Sequence, residues 1–414
     1  MSHQLANCFF HRPTRFHCIM ISISRLLCGV AAQGDSLRYG EVGPSEQGIS
    51  NQPPIVVWNS TKSCNLKCIH CYANATQIPA DGELSTSEAK SFIEDLADFD
   101  VPVLLFSGGE PLLRVDVLEL AIYARELGVR PVLSTNGTLI TNRRAKDIRN
   151  AGFGEVGISL DGIGDINDSF RGVEGAYTLA LQGIRNCVAA GLRVSLRFTI
   201  TRDNYQDIPA IFDLLEKENI DRACFYHLAY VGRADGKRVH DVAPEQTKLI
   251  ISQICDRTTD MYSRGLKKEI LTVDNHADGV YVYIRVRRDQ PERADEVLSL
   301  LRRNGGNNSG RRIGAVDELG NVHADQFWRH YSFGNVRERK FGDIWSDTSD
   351  PLMLGLKNRK ALLKGRCARC NYLDICNGNL RVRAESVHGD VWAEDPACYL
   401  SDDEIGINKD VIQK

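Results

Sequence analysis

The closely spaced cysteines near residue 65 are the residues of this chain best suited to chemistry. Cys64, Cys68 and Cys71 stand in the sequence CNLKCIHC. Three thiolates at this spacing can hold three corners of a four-iron cube, whereas ferredoxins and structural zinc sites usually fill all four ligand positions. The fourth iron is then open to a substrate or cofactor. A zinc site completed by His70 is disfavoured, because a residue adjacent to Cys71 is poorly placed to share its metal.

A second group of cysteines lies near the C-terminus. It consists of Cys367, Cys370, Cys376 and Cys398. Clustered cysteines in a large chain are typical of metal ligands rather than of a disulfide framework. Four thiolates complete the coordination of one group, so an iron–sulfur cluster and a zinc site both fit. The scattered cysteines are predicted to be buried as small apolar residues: Cys8, Cys18, Cys28, Cys187, Cys224 and Cys255.

The composition is that of an ordinary globular protein. The chain has 414 residues, of which 43% are hydrophobic and 25% charged, and its net charge is −3. This length allows one large domain and a smaller one. The charge gives no sign of nucleic-acid binding, and no apolar run reaches the roughly 20 residues of a membrane span.

The N-terminal segment has some features of a secretory signal. Two arginines precede an apolar run over residues 18–32 that ends in small residues, as in a signal peptide. Arg25 interrupts that run, and an oxygen-sensitive cluster needs a reducing compartment, so we expect a cytoplasmic protein. Translation starting at Met20 leaves residues 1–19 untranslated; otherwise we expect them to be disordered.

Strand-like and helical segments alternate strictly from residue 54 onward. The apolar runs that predict strands are 55–58, 101–106, 130–133, 155–160, 193–201 and 222–230. Amphipathic segments predict helices over 85–96, 115–127, 141–150, 176–190 and 208–218, the first with a capping box from Ser85 to Glu88. This alternation predicts an α/β fold, a partial (β/α)6 barrel of the TIM type with a C-terminal Fe–S cluster domain. In such barrels the chemistry lies at the C-terminal ends of the strands.

The chain changes character after the sixth predicted strand. Helices are predicted over 244–262 and 291–303, a short strand over 281–285, and a boundary at the Gly- and Asn-rich loop 304–310. We therefore divide the chain into an N-terminal extension (1–50), the barrel (51–235), a connector of helices and a strand (236–303) and an auxiliary cluster domain (304–414).

Polar and glycine motifs follow the predicted strands, where the fold places a site. They are Gly108-Gly109-Glu110-Pro111 after the second strand, Ser134 and Asn136 after the third, Ser159 and Asp161 after the fourth, and Arg197 on the fifth. Each motif alone is weak evidence, because Gly-Gly-Glu-Pro and Asp-Gly are also ordinary turn sequences. Their order after successive strands predicts one shared site.

Together, the three-cysteine loop, the Gly-Gly-Glu-Pro turn and the Ser-Leu-Asp-Gly sequence resemble the radical S-adenosylmethionine (radical SAM) enzymes over residues 52–235. The resemblance implies a [4Fe–4S] cluster on Cys64, Cys68 and Cys71 whose open iron chelates the amino and carboxylate groups of S-adenosylmethionine. One electron from the cluster then cleaves this cofactor to methionine and a 5′-deoxyadenosyl radical, which abstracts a hydrogen atom from the substrate.

The same resemblance implies how the strand-end motifs hold S-adenosylmethionine. Gly108 and Gly109 let the backbone approach the cofactor closely, and their carbonyls, with Glu110 nearby, accept hydrogen bonds from the methionine ammonium. The other groups of the cofactor are assigned to the side chains that follow later strands: Ser134, Asn136 and Arg197 for the carboxylate, and Ser159 and Asp161 for the ribose hydroxyls.

The spacing of the C-terminal cysteines resembles the auxiliary-cluster domain of many radical SAM maturases. It implies one auxiliary [4Fe–4S] cluster held by all four cysteines, and it favours iron over zinc. A second auxiliary cluster needs upstream cysteines, which the stretch 304–326 lacks; Asp325 stands where one is expected. Electron transfer and holding the substrate are both open as roles of the auxiliary cluster.

Several later stretches resemble enzymes that trim the side chains of siroheme-derived tetrapyrroles. They are residues 226–233, 272–278, 321–328 and 376–379. The resemblance implies an iron tetrapyrrole substrate, 12,18-didecarboxysiroheme, and a reducing partner such as ferredoxin or flavodoxin. One enzyme of this group removes acetate side chains to give Fe-coproporphyrin III, and another acts on propionate side chains. The stretch 321–328 favours acetate removal.

A substrate with several carboxylates and an iron calls for arginines and a histidine. Arginines pair with carboxylates bidentately, and the candidates are Arg171, Arg233, Arg381 and Arg383. The candidate ligands of the substrate iron are His227, His276 and His323. A solvated surface arginine or a hydrogen-bonded structural histidine is the alternative in each case.

Two other functions stay open at this point. A peptide maturase of the same superfamily needs an added module that binds a leader peptide, for which residues 1–50 are short. A non-catalytic iron–sulfur electron carrier requires a fourth protein ligand beside Cys64, Cys68 and Cys71, and no cofactor cleavage.

Overall fold

The computed structural model describes residues 20–40, 52–234 and 240–407. The segment 1–19, with Cys8 and Cys18, and the predicted boundary after residue 235 lie outside these residues. Within the described ranges, no helix is both long enough and apolar enough to cross a membrane.

One ten-stranded sheet organises the described residues. Its strands are β1 (Ile21–Ser22), β2 (Ile55–Asn59), β3 (Val103–Ser107), β4 (Arg130–Thr135), β5 (Val156–Ser159), β6 (Val194–Ile200), β7 (Arg222–His227), β8 (Glu269–Val273), β9 (Ile313–Val316) and β10 (Val322–His323). Their order is β1-β8-β7-β6-β5-β4-β3-β2-β9-β10. From β8 to β9 all neighbours are parallel, and β1 and β10 pair antiparallel at the two edges.

The described residues form sixteen α-helices, and those that follow the parallel strands pack on the outside of the sheet. They are α1 (Ile23–Cys28), α2 (Asp35–Tyr39), α3 (Thr86–Asp98), α4 (Val117–Glu126), α5 (Asn142–Ala151), α6 (Asp165–Arg171), α7 (Ala176–Ala189), α8 (Ile208–Lys217), α9 (Pro244–Ser263), α10 (Ala277–Asp289), α11 (Ala294–Asn304), α12 (Phe341–Ser346), α13 (Pro351–Lys357), α14 (Gly365–Arg369), α15 (Leu373–Cys376) and α16 (Arg381–His388). The predicted capping box is present, since Ser85 and Glu88 bond each other's backbone N–H at the start of α3. The predicted α/β fold with a partial barrel is confirmed, and its six predicted strands are β2–β7.

Alternate side chains of the parallel strands point into the lumen of the barrel. On β4, Arg130, Val132 and Ser134 line cavities inside the barrel, whereas Leu133 belongs to the apolar core under the helices. This is the two-residue period of a strand. Polar lumen residues therefore come near the strand ends, with apolar residues such as Val132 between them.

The connector differs from its prediction in two ways. The strand predicted at 281–285 lies inside α10, where Val280, Tyr283 and Val286 are buried at helical spacing. Instead, the unpredicted strand β8 extends the parallel sheet beside β7. The connector is thus part of the barrel wall.

The loop 304–310, predicted to mark a boundary, is buried inside the molecule. Asn304, Asn307, Asn308 and Ser309 are at most 2% exposed. The strand that follows it, β9, pairs with β2 of the barrel. The predicted division after residue 303 therefore falls inside one continuous sheet.

The N-terminal segment 20–40 completes the barrel. Ile21 of β1 pairs with Thr272 of β8 and protects that edge of the sheet. The loop before α2 and α2 itself bring Gln33, Leu37 and Arg38 to the N-terminal ends of the strands, where they line the lumen. We call this covered end of the barrel the closed end.

Candidate active site at the C-terminal ends of the strands

A cavity lies at the C-terminal ends of the strands, where this fold predicts a site. Its walls include the cysteine loop, the glycine turn after β3, and side chains from strands across the sheet. The predicted site residues that line it are Cys64, Cys68, Cys71, Gly108, Gly109, Ser134, Asn136, Ser159, Arg171, Arg197, His227 and Arg233. The fold thus brings together residues that are up to 169 positions apart, from Cys64 to Arg233.

Hydrogen-bond donors point at the sulfurs of the cysteine loop. The backbone N–H of Leu66 lies 3.4 Å from Cys64 Sγ, and that of Ala75 lies 3.5 Å from Cys71 Sγ. The Arg171 guanidinium lies 3.6 Å from the sulfur of the remaining loop cysteine, Cys68. Donors in these positions stabilise negative charge on sulfur and tune the potential of an iron–sulfur cluster.

The three thiols suit a metal cluster. Burial raises the pKa of Cys64 to about 12 and also raises the pKa of Cys68. Metal coordination deprotonates such thiols outright, and the donors directed at the sulfurs support the thiolate form. In the described part of the chain, no three or more His, Cys, Asp or Glu side chains are grouped closely enough for a single metal ion.

Glycines allow the cysteine loop to pack directly on the strand ends. A Cβ atom on Gly109 would collide with the carbonyl of Ser63, and one on Gly232 would collide with the carbonyl of Cys71. Only glycine permits backbones to approach this closely. Gly109 therefore has a structural role beside the cysteine loop, and its predicted approach to the cofactor stays a prediction.

Glu110 and Pro111 do not line the cavity. The Glu110 carboxylate is 0% exposed. It accepts hydrogen bonds from the Thr135 hydroxyl at 2.7 Å and from the backbone N–H groups of Asn136 at 2.8 Å and Leu112 at 3.0 Å. Burial raises its pKa. The predicted contact with the methionine ammonium is corrected: this carboxylate joins the turn after β3 to the end of β4 and so positions Asn136.

Asp161 also faces away from the cavity. Its carboxylate pairs with the Arg171 guanidinium and accepts a 2.6 Å hydrogen bond from the Thr199 N–H. The side chain is 0% exposed, so these partners occupy the group predicted to bind ribose. Asp161 instead fixes Arg171 beside the cysteine loop.

His70 forms part of the wall beside the cysteine loop. Its ring packs on Phe170 with centroids 4.6 Å apart, and its Nε2 lies 3.4 Å from the Asp161 carboxylate. Burial lowers the pKa of His70 to about 4, so the ring is neutral at physiological pH. This position agrees with an aromatic cover rather than a zinc ligand.

Arg197 crosses the lumen over β5. Its guanidinium donates to the Ser134 hydroxyl, and its Nε is buried with no hydrogen-bond partner in the described residues. A Cβ atom on Gly157 would collide with that Nε, so a glycine on β5 leaves the space that the arginine occupies. A buried, unpaired N–H is suited to an anion such as a carboxylate.

Several lining residues were not predicted from the sequence. They are Tyr72, Ser107, Thr135, Thr199, Tyr226, Tyr230, Asp274, Gln326 and Phe327. Strand alternation could have identified Thr199, because it lies two positions after Arg197 on β6. Gln326 and Phe327 carry no such signal, although they lie in the stretch 321–328 that suggested a tetrapyrrole.

Asp274 is the only carboxyl group among the described residues that line this cavity. It follows β8 directly, and its backbone φ is 66°. Burial raises the pKa of Asp274 to about 7, and the nearby Asp325 carboxylate adds to this effect. A carboxyl group that titrates near neutral pH inside a cavity is a candidate for proton exchange with a ligand.

His227 is the predicted iron ligand that the cavity contains. Its Nε2 lies 2.9 Å from an Asp278 oxygen, and the other Asp278 oxygen accepts a 2.8 Å hydrogen bond from the Tyr399 hydroxyl. A carboxylate bound to one ring nitrogen orients the imidazole and leaves the other nitrogen for a metal, as is usual for metal-binding histidines. His276 and His323 are buried and do not line the cavity, which corrects their prediction as iron ligands.

Arg381 and Arg383 do not line the cavity either. Both are 0% exposed. Arg381 donates to the carbonyl of Val391 at 3.1 Å, and Arg383 pairs with Asp395 at 2.8 Å and donates to the carbonyl of Leu228 at 2.8 Å. Arg383 is paired within the protein, whereas Arg381 keeps a buried Nε without a hydrogen-bond partner in the described residues. Since neither guanidinium lines the cavity, the predicted contacts with substrate carboxylates are corrected.

Arg233 lines the cavity but binds the protein. Its guanidinium donates to the carbonyl of Cys68 at 2.8 Å and to that of Ala75. It therefore ties the middle of the cysteine loop, and the residues just after it, to the segment that follows β7.

The four C-terminal cysteines lie near one another. Burial raises the pKa of Cys376 well above its usual range, and the thiols of Cys367, Cys398 and Cys370 raise it further. A Cβ atom on Gly306 would collide with the carbonyl of Cys376. The buried loop 304–310 therefore packs against this cysteine group.

Comparison with known families matches residues 58–215 to the radical SAM superfamily. The Fe-coproporphyrin III synthase of Methanosarcina barkeri is 56% identical over 395 residues, which cover 94% of this chain and 99% of that protein. The pre-heme d1 synthase of Dinoroseobacter shibae is 42% identical over 362 residues, covering 86% of this chain and 89% of that protein.

Solved structures support the fold. SuiB of Streptococcus suis, in its structure bound to S-adenosylmethionine, matches with a TM-score of 0.65 at 18% identity, covering 84% of this chain and 78% of that chain. At this identity the likeness concerns the fold alone, and it agrees with the partial barrel.

Proposed function

Since the chain belongs to the radical SAM superfamily and is a radical SAM enzyme, we propose that it removes acetate side chains from 12,18-didecarboxysiroheme to give Fe-coproporphyrin III. The observation that carries this proposal is the 56% identity, over 94% of the chain, to the protein named Fe-coproporphyrin III synthase. The cavity at the strand ends supports it with a cysteine loop, cofactor-binding groups and a histidine suited to iron.

The cofactor site is assigned to the residues that line this cavity. Cys64, Cys68 and Cys71 hold a [4Fe–4S] cluster. When bound there with S-adenosylmethionine, it supplies the one-electron chemistry that removes a hydrogen atom from the substrate. Ser134 and Arg197 bind the methionine carboxylate through a hydroxyl and a guanidinium that already contact each other.

The remaining contacts orient the cofactor and keep water out. Asn136 holds the Asn65 side chain at 2.9 Å and lies 3.9 Å from Cys64 Sγ, so it fixes the loop as well as facing the cofactor. Ser159 is placed to bond the ribose. Leu66 and Phe327 form apolar parts of the wall, and excluding water strengthens the polar contacts inside the site.

Substrate recognition uses the histidine and arginine that line the cavity. His227 binds the tetrapyrrole iron through the ring nitrogen opposite Asp278. Arg171 has a buried Nε with no hydrogen-bond partner in the described residues, and it pairs with a substrate carboxylate through that edge. Asp161 at Nη2 and the Cys68 sulfur at Nη1 keep the guanidinium in place.

The C-terminal cysteines are assigned to one auxiliary [4Fe–4S] cluster. Their mutual effect on the pKa of Cys376 supports a common site. All four cysteines would coordinate this cluster, which would either carry electrons from a reduced ferredoxin or flavodoxin or hold the substrate. Replacing Cys398 by Ala is expected to lower the iron content of the protein.

Removal of propionate side chains is the second candidate function. The 42% identity to the protein named pre-heme d1 synthase favours it. Both reactions start from the same tetrapyrrole and use the same cofactor site, so the mass of the product distinguishes them.

The test combines product analysis with two cysteine variants. The protein is reconstituted anaerobically and incubated with dithionite, S-adenosylmethionine and 12,18-didecarboxysiroheme. We expect 5′-deoxyadenosine and a product with the mass of Fe-coproporphyrin III. Loss of propionate carbon would support the second candidate, and absence of 5′-deoxyadenosine would contradict both.

Cys64→Ala is expected to abolish 5′-deoxyadenosine formation because it removes a cluster ligand. Cys187→Ala is the matched control, since Cys187 is equally a free cysteine, is 0% exposed and lies on α7 away from the cavity. The control is expected to keep its iron and its activity. Equal loss in both variants would mean that the cysteine loop has no special role.

A further inference from the structure

The lumen has a second cavity toward the closed end of the barrel, which the proposed reaction does not use. Its volume is about 130 Å³. It shares five lining residues with the active-site cavity, namely Val57, Leu105, Arg197, Tyr226 and Gln326. The two cavities therefore meet halfway along the strands.

The walls of this second cavity carry excess positive charge. Among the described residues that line it, Glu155 is the sole carboxylate. The positively charged lining residues are Arg38, Arg130, Arg193, Arg197, Arg222 and Arg312. Glu269, behind the wall, pairs with Arg193 at 2.6 Å and Arg222 at 2.7 Å and also with Arg38. With Asp35, which pairs with Arg38 at 3.5 Å, three carboxylates serve Arg38, Arg193 and Arg222 at the closed end.

Arg130 is left outside these pairs. It begins β4 and lines the cavity on the same face of the strand as Val132. A Cβ atom on Gly154 would lie 2.5 Å from its Nε, so a glycine again leaves room for the guanidinium to lie across the chain. Among the described residues, no carboxylate forms an ion pair with Arg130, whereas Glu155 pairs with Arg222.

One further group indicates a missing polar partner. Gln326 lies where the two cavities meet, and its Oε1 is buried without a hydrogen-bond partner in the described residues. This is the property of a polar site that lacks a ligand, since buried polar groups in proteins are normally paired.

We propose that this cavity, the lumen site, binds a short-chain carboxylate through Arg130. The planar guanidinium matches a carboxylate in geometry and charge. Val57, Val103 and Leu105 provide apolar walls for one to three carbon atoms, which favours a short carboxylic acid over a phosphate or sulfate. The occupant is a carboxylate side chain of the bound tetrapyrrole or a free two- or three-carbon acid.

The first test uses acetate as the probe and needs no tetrapyrrole. Binding of carbon-13 acetate to the anaerobically reconstituted full chain is measured by saturation-transfer NMR at constant ionic strength. We expect Arg130→Gln to raise the Kd for acetate at least tenfold and Arg130→Lys to recover part of the affinity. Arg143→Gln is the control, because that arginine is 93% exposed, and it is expected to leave the Kd unchanged.

The second test covers an occupant that is part of the tetrapyrrole. Binding of Fe-coproporphyrin III is compared with binding of its methyl ester, which lacks the carboxylates. If the substrate supplies the carboxylate, Arg130→Gln weakens binding of the free acid at least tenfold and leaves binding of the ester unchanged.

The lumen site is overturned if Arg130→Gln changes neither the acetate Kd nor the difference between acid and ester, while its melting temperature and iron content match those of the parent protein. If Arg130→Gln does not fold, Arg130→Lys serves as the test variant. Its Kd for acetate and for Fe-coproporphyrin III is then expected to lie above the Kd of the parent protein, and equal Kd values would overturn the site. Since the acetate measurement involves no turnover, its outcome is independent of which side chain the enzyme removes.

Discussion

Asp274 combines a raised pKa with a backbone conformation that tolerates asparagine. Its φ of 66° lies in the left-handed region, which Asn and Asp adopt more readily than other residues with a side chain. Its carboxyl group is buried in the cavity wall. Asparagine should therefore keep the fold at this position and remove only the ionisable group.

The pKa of Asp274 makes stability depend on pH in a defined direction. The pKa of Asp274 is about 7 in the folded protein, against an ordinary value of 3.8 for an aspartate in the unfolded chain. Between these values the folded state keeps the proton while the unfolded state has lost it. This group therefore destabilises the protein as pH rises from about 4 to 7, by up to about 4 kcal/mol above that range. Asp274→Asn should raise the melting temperature at pH 8, and the gain should shrink toward pH 4.

Thermal melts across this pH range test the effect. Asp213→Asn is the control, since it removes a carboxylate that is 72% exposed. A constant difference between Asp274→Asn and the parent protein at every pH would show that the carboxyl group of Asp274 is not perturbed.

Local spacing in the sequence correctly predicted which cysteines lie at the site. It did not predict the orientation of side chains that depends on tertiary packing. The cysteine loop needs only the spacing of three ligands, and all three line the cavity. Glu110 and Asp161 stand in the right motifs, yet their partners Thr135 and Arg171 come from later segments of the chain. Sequence alone cannot show which way such carboxylates turn, because that choice depends on which elements pack beside them.

At the scale of elements, the regular strand–helix units were predictable and the exceptions have physical reasons. Strands β2–β7 are apolar runs that each precede an amphipathic helix. The segment 281–285 is rich in aromatic and β-branched residues, which favour strands, but burial at helical spacing within α10 overrides that preference. Strand β8 follows a long helix, and the stretch 272–278 that begins within it was interpreted as part of a tetrapyrrole-related motif rather than as the end of a strand.

The cysteine loop depends on a contact from the segment that follows β7. Arg233 donates to the carbonyls of Cys68 and Ala75. Arg233→Met keeps the length of the side chain and removes these donors. We expect about a tenfold loss of cluster iron or of 5′-deoxyadenosine formation, since groups that hold metal ligands in place usually contribute 10–100-fold.

Iron analysis and the rate of cofactor cleavage measure this effect. Arg202→Met is the control, because its arginine follows β6 on the same side of the barrel and is 56% exposed. If both variants keep full iron and activity, the loop is held by its glycine contacts alone.

At the scale of the whole molecule, a buried ion pair joins the C-terminal segment to the barrel. Arg383 and Asp395 are both 0% exposed, 2.8 Å apart, and the same guanidinium donates to the carbonyls of Leu228 and Asp274 after β7 and β8. Burial alone would raise the pKa of Asp395, but Arg383 outweighs it and holds that pKa below its usual range. The pair is therefore charged at neutral pH.

Arg383→Met is expected to destabilise the protein by about 3–5 kcal/mol, because it leaves a buried carboxylate without its partner. The loss is expected above the usual pKa range of a carboxyl group and should shrink as pH falls and Asp395 takes up a proton. Arg185→Met is the control: it breaks a pair with Glu218 of similar geometry at the surface, and solvent-exposed pairs contribute little to stability. Equal melting temperatures for the two variants would contradict the role of the buried pair.

The extent of the sheet was the least predictable property of the whole molecule. Ile55 of β2 pairs with Ile313 of β9, and no local pattern links residues so far apart. The resemblance to a known domain suggested a separate C-terminal unit, whereas β9 and β10 extend the barrel sheet itself.

The pairing of β1 with β8 has a consequence for how the chain is made. Ile21 leaves the ribosome early, but its partner Thr272 follows 251 residues later. At about 5–20 residues per second, synthesis of that interval takes roughly 13–50 s. During that time the nascent chain has neither its edge strand nor the cover of its barrel in place. Binding by a chaperone to the segment around Ile21 should therefore be strongest before residue 272 has been translated.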